Sequence, residues 1–190
     1  MAKIRIQDIS SGNIVICREL CNELMAYQAE KSHFRTDVLQ EMTFDNRLKP
    51  SFESAQMKKV LVAFDGDTPV GYVYAEVSDV TEDLKYYVPD WANTIYEKGQ
   101  LIFYPDEQKL PSRLGTFNNI YIKPEYHGLK LGYQLSNEVI EWMKSMEGIT
   151  GIYVYVSNGN EEVVDFYKRF GFEFSHEVFG GFITAYFKKV

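Results

Sequence analysis

Between residues 117 and 157 the sequence predicts a strand, a helix and a second strand in direct succession. The letters "FNNIYI" predict the first strand, and "ITGIYVYVS" is an apolar run too continuous for a half-exposed strand. The helix between them carries one apolar stripe, formed by Leu131, Leu135, Val139, Trp142 and Met146. Such a unit pairs its two strands in parallel through a right-handed connection. We therefore predict a buried parallel pair within an α/β sheet.

The flanking segments predict antiparallel strands and further helices. "KIRIQDI" predicts a first strand, and "VLVAFDGDTPVGYVYAEV" predicts a hairpin that turns at residues 65–69. Helices are predicted from about Ser11 to Gln28, in "TDVLQEMTF" and in "SFESAQMKK", with Pro50 separating the last two. Two strand-like runs, "FEFSHEV" and "GFITAYFKK", follow later. The prediction is a mixed, mostly antiparallel sheet of six to seven strands with helices on both faces.

Residues 1–190 are predicted to form one domain, because a chain of this length can bury a single core. Within it, residues 81–111 carry three prolines, many aromatic side chains and no clear period. We predict that this stretch is an inserted, partly helical segment.

Composition narrows the class of function. The chain is 45% hydrophobic and 25% charged, and it has no apolar run near the ~20 residues of a membrane helix. Since the first residues also lack a secretory signal, a cytoplasmic protein without membrane contact is expected. A net charge of −7 argues against nucleic-acid binding and favours a cationic partner. Cys17 and Cys21 are expected to be buried free thiols, no metal site is expected, and a homodimer is compatible with the sequence.

Two glycines, Gly128 and Gly132, frame the start of the helix that follows "IYIKPEY". The first amides of a helix have no helical partner, and a backbone without side chains lets an anion approach them. The spacing fits neither the phosphate loop nor the three-glycine dinucleotide fingerprint. The glycines therefore indicate either an anion site or an ordinary helix start with close packing against the sheet.

The segment "NEEVVDFYKRFGF" carries a full set of helix signals. Asn160 is the predicted N-cap, and Gly171 is the predicted stop. The charges complement the helix dipole at both ends, through Glu161 and Glu162 in the first turn and Lys168 and Arg169 in the last.

Together the two segments resemble the GCN5-related N-acetyltransferase (GNAT) superfamily, whose members carry "V-x-P-x-Y-R-G-x-G-x-G" and later "N-x-x-A-x-x-F-Y-x-x-x-G-F". The first pattern is matched by Ile122, Pro124, Tyr126, Gly128 and Gly132. The second is matched by Asn160, Val163, Phe166, Tyr167, Gly171 and Phe172. The sequence departs from the family at His127, where Gln or Arg is usual, and at Lys130, where the middle glycine is usual.

The resemblance implies transfer of an acetyl group from acetyl-CoA to a primary amine. It implies that the sheet's parallel strands splay apart, so that a strand edge pairs with the pantetheine arm while the turn amides hold the pyrophosphate. The cofactor-binding residues implied are Ile120, Tyr121, Ile122, His127, Gly128, Leu129, Lys130, Leu131, Gly132 and Asn160. Lys130 either adds a positive charge near a phosphate or is a solvated lysine, and Asn160 either contacts the cofactor or only caps its helix.

Tyr167 occupies the position that the resemblance gives to a general acid for the departing thiolate. The alternative is a core aromatic, because Tyr167 shares a helix stripe with Val163 and Phe170. Family members often have a catalytic glutamate on the strand that enters the first motif, where this chain has asparagines at 118 and 119. Glu76, on the preceding strand, is the best substitute, and the general base stays unassigned.

The acceptor is expected to be a small-molecule or peptide amine, and the net charge favours a cationic one. The insertion offers possible walls for such an amine in Tyr86, Tyr87, Trp91, Tyr96, Phe103 and Tyr104. These side chains can equally serve only to pack the insertion onto the sheet. An alternative function is a non-catalytic acyl-CoA-binding or regulatory module, suggested by Lys130 and by the missing glutamate.

Overall fold

The computed structural model describes residues 3–190, whose strands form one mixed sheet. The strands are β1 (Ile4–Asp8), β2 (Met57–Asp65), β3 (Thr68–Val80), β4 (Ser112–Ile122), β5 (Ile149–Ser157), β6 (Glu173–Val178) and β7 (Ile183–Lys189). Their order across the sheet is β1, β2, β3, β4, β5, β7, β6. β4 and β5 run parallel, and the other neighbouring strands run antiparallel. The predicted mixed, mostly antiparallel sheet is confirmed.

The α-helices of the described residues are α1 (Arg18–Lys31), α2 (Thr36–Gln40), α3 (Lys49–Ser54), α4 (Glu82–Lys85), α5 (Leu131–Lys144) and α6 (Val164–Lys168). The helix predicted from Ser11 begins instead as a short 3-10 turn at Ile14, after Asn13 caps it by accepting the Val15 N–H at 3.0 Å. "TDVLQEMTF" is α-helical only as far as Gln40.

The prediction of helix through "SFESAQMKK" is wrong at its end. α3 stops at Ser54, and residues 57–59 pair with Ala75–Val77 of β3 as the start of β2. Cross-strand pairing here overrides a local helical pattern, which is the usual reason that strand starts are missed.

Two hydrophobic cores lie on opposite faces of the sheet. Because side chains alternate along a strand, Tyr72 and Tyr74 of β3 face one core while Val73 and Ala75 face the other. The first core is covered by α1, α2, α3 and the insertion, and we call this side the α1 face. The second is covered by α5 and α6, and we call it the α5 face.

The parallel strands β4 and β5 part within the sheet. Their pairing runs from Arg113 to Phe117 on β4 and from Ile149 to Val154 on β5, whereas β4 continues to Ile122 and β5 to Ser157. A bulge lies just after the last pair, since Tyr74 and Ala75 of β3 oppose Asn119 and Phe117 and leave Asn118 as the extra residue. A gap therefore opens between β4 and β5 beyond Phe117.

The segment from 81 to 111 contains α4 and a 3-10 turn at Asp90–Ala92, and otherwise has no regular structure. None of the helices in residues 3–190 combines the length and the apolar character required to cross a membrane.

Candidate functional site

The turn before α5 presents a cluster of unpaired backbone amides. Gly128 (φ 86°) and Lys130 (φ 60°) both adopt the left-handed conformation, and no side chain caps the helix. The first helical hydrogen bond runs from the Gln134 N–H to the Lys130 carbonyl at 3.0 Å. Among residues 3–190, the N–H groups of Gly128 and of residues 130–133 have no acceptor. Such a group of amides at a helix N-terminus can bind an anion.

His127 and Leu129 use their own amides within the turn. The His127 N–H donates to the Pro124 carbonyl at 3.0 Å, and the Leu129 N–H lies 3.5 Å from the Tyr126 carbonyl. The His127 ring donates from Nε2 to the Ile122 carbonyl at 2.9 Å, since a carbonyl can only accept. His127 therefore ties the turn to the end of β4, and the Leu129 side chain is 51% exposed.

Gly132 leaves room beside these amides, while the neighbouring Leu131 side chain is buried and anchors the helix. A methyl group on Gly132 would lie 3.9 Å from Ile122 Cγ1 and from the Phe166 ring, which is ordinary contact. At Gly115, by contrast, it would lie 2.7 Å from a buried sulfur atom. A side chain at 115 would thus force Met143 to move, whereas a methyl group at 132 would displace nothing, and the space at 132 leaves room for a bound group.

The open edge of β4 lies next to this turn. The Lys123 N–H donates to the Val70 carbonyl at 2.9 Å, so that amide points towards β3. Since backbone polar groups alternate between the two sides of a strand, Ile120 and Ile122 point theirs away from β3 and into the gap beyond Phe117. The Ile122 carbonyl bonds to His127, which leaves the Ile122 N–H and both polar groups of Ile120 facing the gap.

Tyr121 lies between these two residues and packs its side chain against the core of the α1 face. Burial, and then the negative charge of Glu23, raises the pKa of Tyr121 to about 12, so its phenol is protonated at neutral pH. Lys123 pairs with Glu19 at 2.9 Å and with Glu23 at 3.4 Å. α1 therefore borders the open part of β4.

Tyr167 lies on the α5 face at the start of the gap. Its ring packs edge-on against Phe117, the last β4 residue paired with β5, and also contacts Phe166 and Phe172. Burial raises the pKa of Tyr167 well above its usual value. No atom of residues 3–190 hydrogen-bonds to its hydroxyl group.

Asn160 lies at the predicted N-cap position, and its carbonyl accepts the Val163 N–H at 3.2 Å, but its side chain makes no capping hydrogen bond. Its backbone (φ −107°, ψ 28°) lies outside the extended region typical of a capping side chain, because the chain enters α6 through a 3-10 turn at Glu161–Val163. The half-buried side chain of Asn160 makes no hydrogen bond within residues 3–190. The predicted stop at Gly171 is present, with φ 81°.

Comparison with protein families gives one match over most of the chain. A model described as the acetyltransferase (GNAT) family matches residues 19–172. The chain belongs to this family. No curated protein sequence matches it closely enough to count as a relative.

Solved structures with the same fold include three from different organisms. The PaiA N-acetyltransferase of Thermoplasma acidophilum, in complex with coenzyme A, is 18% identical with a TM-score of 0.63, covering 99% of each chain. Naa50 of Arabidopsis thaliana, with the bisubstrate analogue CoA-Ac-MVNAL, is 15% identical with a TM-score of 0.59, covering 98% of this chain and 99% of that one. A GNAT acetyltransferase of Streptococcus pneumoniae is 16% identical with a TM-score of 0.58, covering 99% of each. At these identities the likeness establishes the fold.

On the α1 face of this GNAT protein, a polar network surrounds Glu76. The Tyr74 hydroxyl donates to Glu76 Oε2 at 2.5 Å, and Ser51 Oγ lies 3.4 Å from the same oxygen. Asn118 Nδ2 lies 3.4 Å from Glu76 Oε1, while Asn118 Oδ1 accepts from Arg47 Nη2 at 2.9 Å. Sequence reasoning singled out Glu76 and residue 118 separately, and it missed Arg47, Ser51 and Tyr74.

Asn158 is a second residue that sequence reasoning missed. Its side chain is buried and accepts hydrogen bonds from Ser32 Oγ and from the His33 and Phe34 amides, at 2.9 to 3.0 Å. It also donates to the carbonyls of Phe34 and Phe182, each at 3.0 Å. Asn158 therefore joins the end of β5 to the α1–α2 loop and to the turn before β7.

The aromatic side chains of the insertion divide into two groups. Four are buried or half-buried on the sheet and its turns, namely Trp91, Tyr96, Phe103 and Tyr104. The Tyr104 ring, for example, packs edge-on 5.7 Å from that of Tyr153. Tyr86 and Tyr87 are 61% and 55% exposed. Packing thus accounts for most of the insertion's aromatic content.

Proposed function

We propose that this protein is an acetyl-CoA-dependent N-acetyltransferase that moves an acetyl group to a primary amine. The proposal rests on two surfaces that lie next to each other. One is formed by the free amides of Gly128 and residues 130–133, and the other by the open β4 edge at Ile120 and Ile122. A helix N-terminus suits a diphosphate, and an unpaired strand edge suits an extended arm that contains amides. Coenzyme A carries both groups.

The residues that would hold coenzyme A are Ile120, Tyr121, Ile122, His127, Gly128, Leu129, Lys130, Leu131, Gly132 and Asn160. His127 contributes through its ring, which orients the turn, rather than through its amide. The Ile122 N–H, which points into the gap, is our candidate donor to the acetyl oxygen. When bound, acetyl-CoA supplies the acetyl group as an activated thioester.

Tyr167 is proposed to donate a proton or a hydrogen bond to the leaving sulfur. Its raised pKa keeps the phenol protonated across the physiological range, as a proton donor requires. Full transfer from a phenol with a pKa of about 10 to a thiol of about 8.5 is already uphill by about 2 kcal/mol, so a hydrogen bond is the main contribution.

The acceptor is proposed to be a cationic small-molecule or peptide amine in the cytoplasm. A primary amine with a pKa near 10.4 costs about 4.6 kcal/mol to deprotonate at pH 7, so the site must offer a group that takes up this proton. The net charge of −7 raises the local concentration of cations. Support also comes from the peptide portion of the analogue in the Naa50 structure.

The second candidate is a non-catalytic acyl-CoA-binding or regulatory module with the same fold. It is favoured by the left-handed Lys130, where the family usually has glycine, and by asparagines at 118 and 119 where a base is usual.

A thermal-shift experiment combined with an acceptor screen tests these proposals. Acetyl-CoA at ~100 times its dissociation constant should raise the melting temperature by roughly 5 to 10 °C, because linkage supplies about 2.7 kcal/mol. Gly132→Glu should remove the shift, whereas Asn137→Asp, a charge added on the exposed side of α5, should keep it. A flat melting curve for the wild type would contradict both candidates.

The screen then separates the enzyme from the binding module. Polyamines, aminoglycosides, amino acids and lysine peptides are incubated with acetyl-CoA, and free thiol is measured. Release of CoA with an amine supports the transferase, with the faster rates expected for cations at low salt. A thermal shift without turnover on any amine supports the binding module.

A further inference from the structure

Glu76 lies beside the opening between β4 and β5, on the α1 face. It pairs with Thr116 in the β3–β4 ladder, one residue before the last parallel pair at Phe117. Its carboxylate reaches Asn118, the extra residue of the bulge with which the gap begins. Tyr167 borders the same gap from the opposite face of the sheet. If the extended arm of coenzyme A enters the gap between β4 and β5, Glu76 lies where the acceptor substrate would meet the end of that arm.

The Glu76 carboxylate is held by neutral donors alone. Tyr74, Ser51 and Asn118 supply hydrogen bonds, and Arg47 bonds to the far side of Asn118 rather than to the carboxylate. Within residues 3–190 Glu76 takes part in no salt bridge. A half-buried carboxylate without a salt-bridge partner is a site that a ligand cation can complete.

Tyrosine side chains lie near this carboxylate, and the Tyr74 hydroxyl bonds to it directly. After burial, the negative charge of Glu76 is the next cause that raises the pKa of Tyr74, and it also contributes for Tyr104 and Tyr155. The charged and titratable groups near Glu76 are Tyr74 from β3, Tyr104 from the insertion, Tyr155 from β5 and, through Asn118, Arg47. Lys58 of β2 lies opposite Glu76 in the antiparallel ladder, but its ammonium group donates to the Phe52 carbonyl rather than to the carboxylate. A carboxylate near tyrosine side chains favours an alkylammonium group, because its charge attracts the ammonium and aromatic rings can bind a cation as well.

We propose that Glu76 binds the ammonium group of the acceptor and takes up its proton, with Asn118 as the residue that positions the carboxylate. The proposal rests on the proposed N-acetyltransferase function and adds the general base that sequence reasoning left open. Asn118 cannot accept the proton itself, but its amide links the Glu76 carboxylate to the Arg47 guanidinium and so fixes the direction of both.

The proton and bond balance is as follows. The acceptor ammonium gives one proton to a Glu76 carboxylate oxygen, and the freed nitrogen lone pair forms the C–N bond to the acetyl carbonyl carbon. The C–S bond breaks with its electron pair on sulfur, which Tyr167 stabilises by a hydrogen bond and which receives the second proton lost by the nitrogen. Glu76 then returns its proton to water, so that one amide, one thiol and one released proton result.

The experiment uses pentylamine as the probe and Glu76→Gln as the variant, because glutamine keeps the shape and the hydrogen bond from Tyr74. Titration of the protein with pentylamine, followed by NMR chemical shifts, should show at least tenfold weaker binding in the variant. The neutral analogue 1-pentanol should bind both proteins equally weakly. The acetyl-CoA thermal shift should be the same in both proteins, since Glu76 is remote from the α5 turn.

Turnover provides the second readout. Pentylamine acetylation at pH 7 should fall by 10² to 10⁴ in Glu76→Gln, as for loss of a general base. The ratio of wild-type to variant rates should shrink as the pH rises towards 10, because the fraction of free amine grows about tenfold per pH unit. Glu138→Gln, on the exposed side of α5, is the matched control and should behave as wild type. Glu76→Asp, which keeps the charge, should retain pentylamine binding.

The outcomes distinguish failure of the Glu76 assignment from failure of the proposed N-acetyltransferase function. Equal pentylamine binding in wild type and Glu76→Gln, or a rate ratio that does not change with pH, overturns the assignment of Glu76 and leaves the transferase function intact. If the wild type transfers acetyl to no amine, the transferase function fails, and with it the role of Glu76 as base. Absence of pentylamine binding in the wild type also overturns the assignment.

Discussion

The ring of Tyr167 lies 5.5 Å from that of Phe117, at an angle of 74° between the two planes. Phe117 is the last residue of β4 that pairs with β5, so this contact places Tyr167 at the point where the two strands separate. Helix periodicity alone is compatible with a purely structural tyrosine at this position. A purely structural role does not explain why the Tyr167 hydroxyl lies beside the gap without a hydrogen-bond partner.

Replacing Tyr167 by Phe should keep the fold and acetyl-CoA binding and lower turnover. Only the phenolic oxygen is removed, and the edge-on contact with Phe117 is preserved. A general-acid role predicts a loss of 10² to 10⁴ in kcat, measured by release of CoA. Tyr186→Phe, the same change on β7, serves as control. Wild-type turnover in Tyr167→Phe would assign the side chain to packing alone.

Gly132→Ala should make the protein more stable and the cofactor bind less tightly. The added methyl group meets only ordinary contacts at 3.9 Å, and alanine is favoured over glycine in a helix by up to about 1 kcal/mol. The same methyl group occupies the space through which a diphosphate would approach the amides. Chemical denaturation and acetyl-CoA titration measure the two effects separately. Unchanged affinity for acetyl-CoA would show that the diphosphate does not bind at the start of α5.

Lys130 should be replaceable by glycine without loss of stability. A lysine in the left-handed conformation is strained by roughly 1 to 2 kcal/mol, which offsets the greater freedom of glycine in the unfolded chain. Lys130→Val should destabilise the fold, because a branched side chain suits this conformation least. The free energy of unfolding of the two variants tests this directly, and equal values would contradict it.

Asn158→Leu should destabilise the protein by at least ~3 kcal/mol. The change leaves the backbone amides of His33 and Phe34 without their hydrogen-bond acceptor. Asn160→Ala removes an amide side chain two residues away that makes no hydrogen bond, and it should change stability by less than ~0.5 kcal/mol. Similar losses in both variants would show that the hydrogen bonds of Asn158 are not the cause.

Stability should fall steeply above about pH 10. Burial raises the pKa of several tyrosines in the folded state, among them Tyr72, Tyr74, Tyr104, Tyr155 and Tyr167. In the unfolded chain these phenols ionise near pH 10, so above that pH the unfolded state binds fewer protons and becomes favoured. Each can remove up to about 1.4 kcal/mol per pH unit until its folded-state pKa is reached. Denaturation curves from pH 8 to 11 measure the slope, and a flat profile would contradict the burial of the phenols.

The features that the sequence predicts correctly depend on residues that are close together along the chain. The parallel pair and the glycine-framed helix start each rest on one continuous pattern, and both are present. Asn160 is the N-cap as predicted, but its side chain makes no capping bond, because the backbone enters α6 through a 3-10 turn that residue types do not reveal. The hydrogen bonds of Asn158 to the α1–α2 loop join residues more than 120 positions apart, and no local pattern encodes them.

The site around Glu76 also depends on contacts between distant parts of the chain, which local sequence patterns do not encode. Tyr74 is close in sequence, and strand alternation alone places both side chains on one face. Arg47 and Ser51 come from a different part of the chain, and only the packing of α3 and the preceding turn against the sheet brings them near. Glu76 could therefore be named from the sequence as a candidate, whereas the residues that hydrogen-bond to it from other parts of the chain could not.

The parting of β4 from β5 also bears on whether copies of the chain can add to one another strand by strand. An unpaired strand edge on the outside of a sheet is a template on which other chains add and aggregate. Here the free edge of β4 covers residues 118–122, roughly 17 Å of strand, and lies between two strands that are joined at Phe117. A full-length strand from another molecule has no room to align there, whereas a thin flexible arm does. The chain can thus keep backbone donors exposed for a ligand without offering them to its own copies.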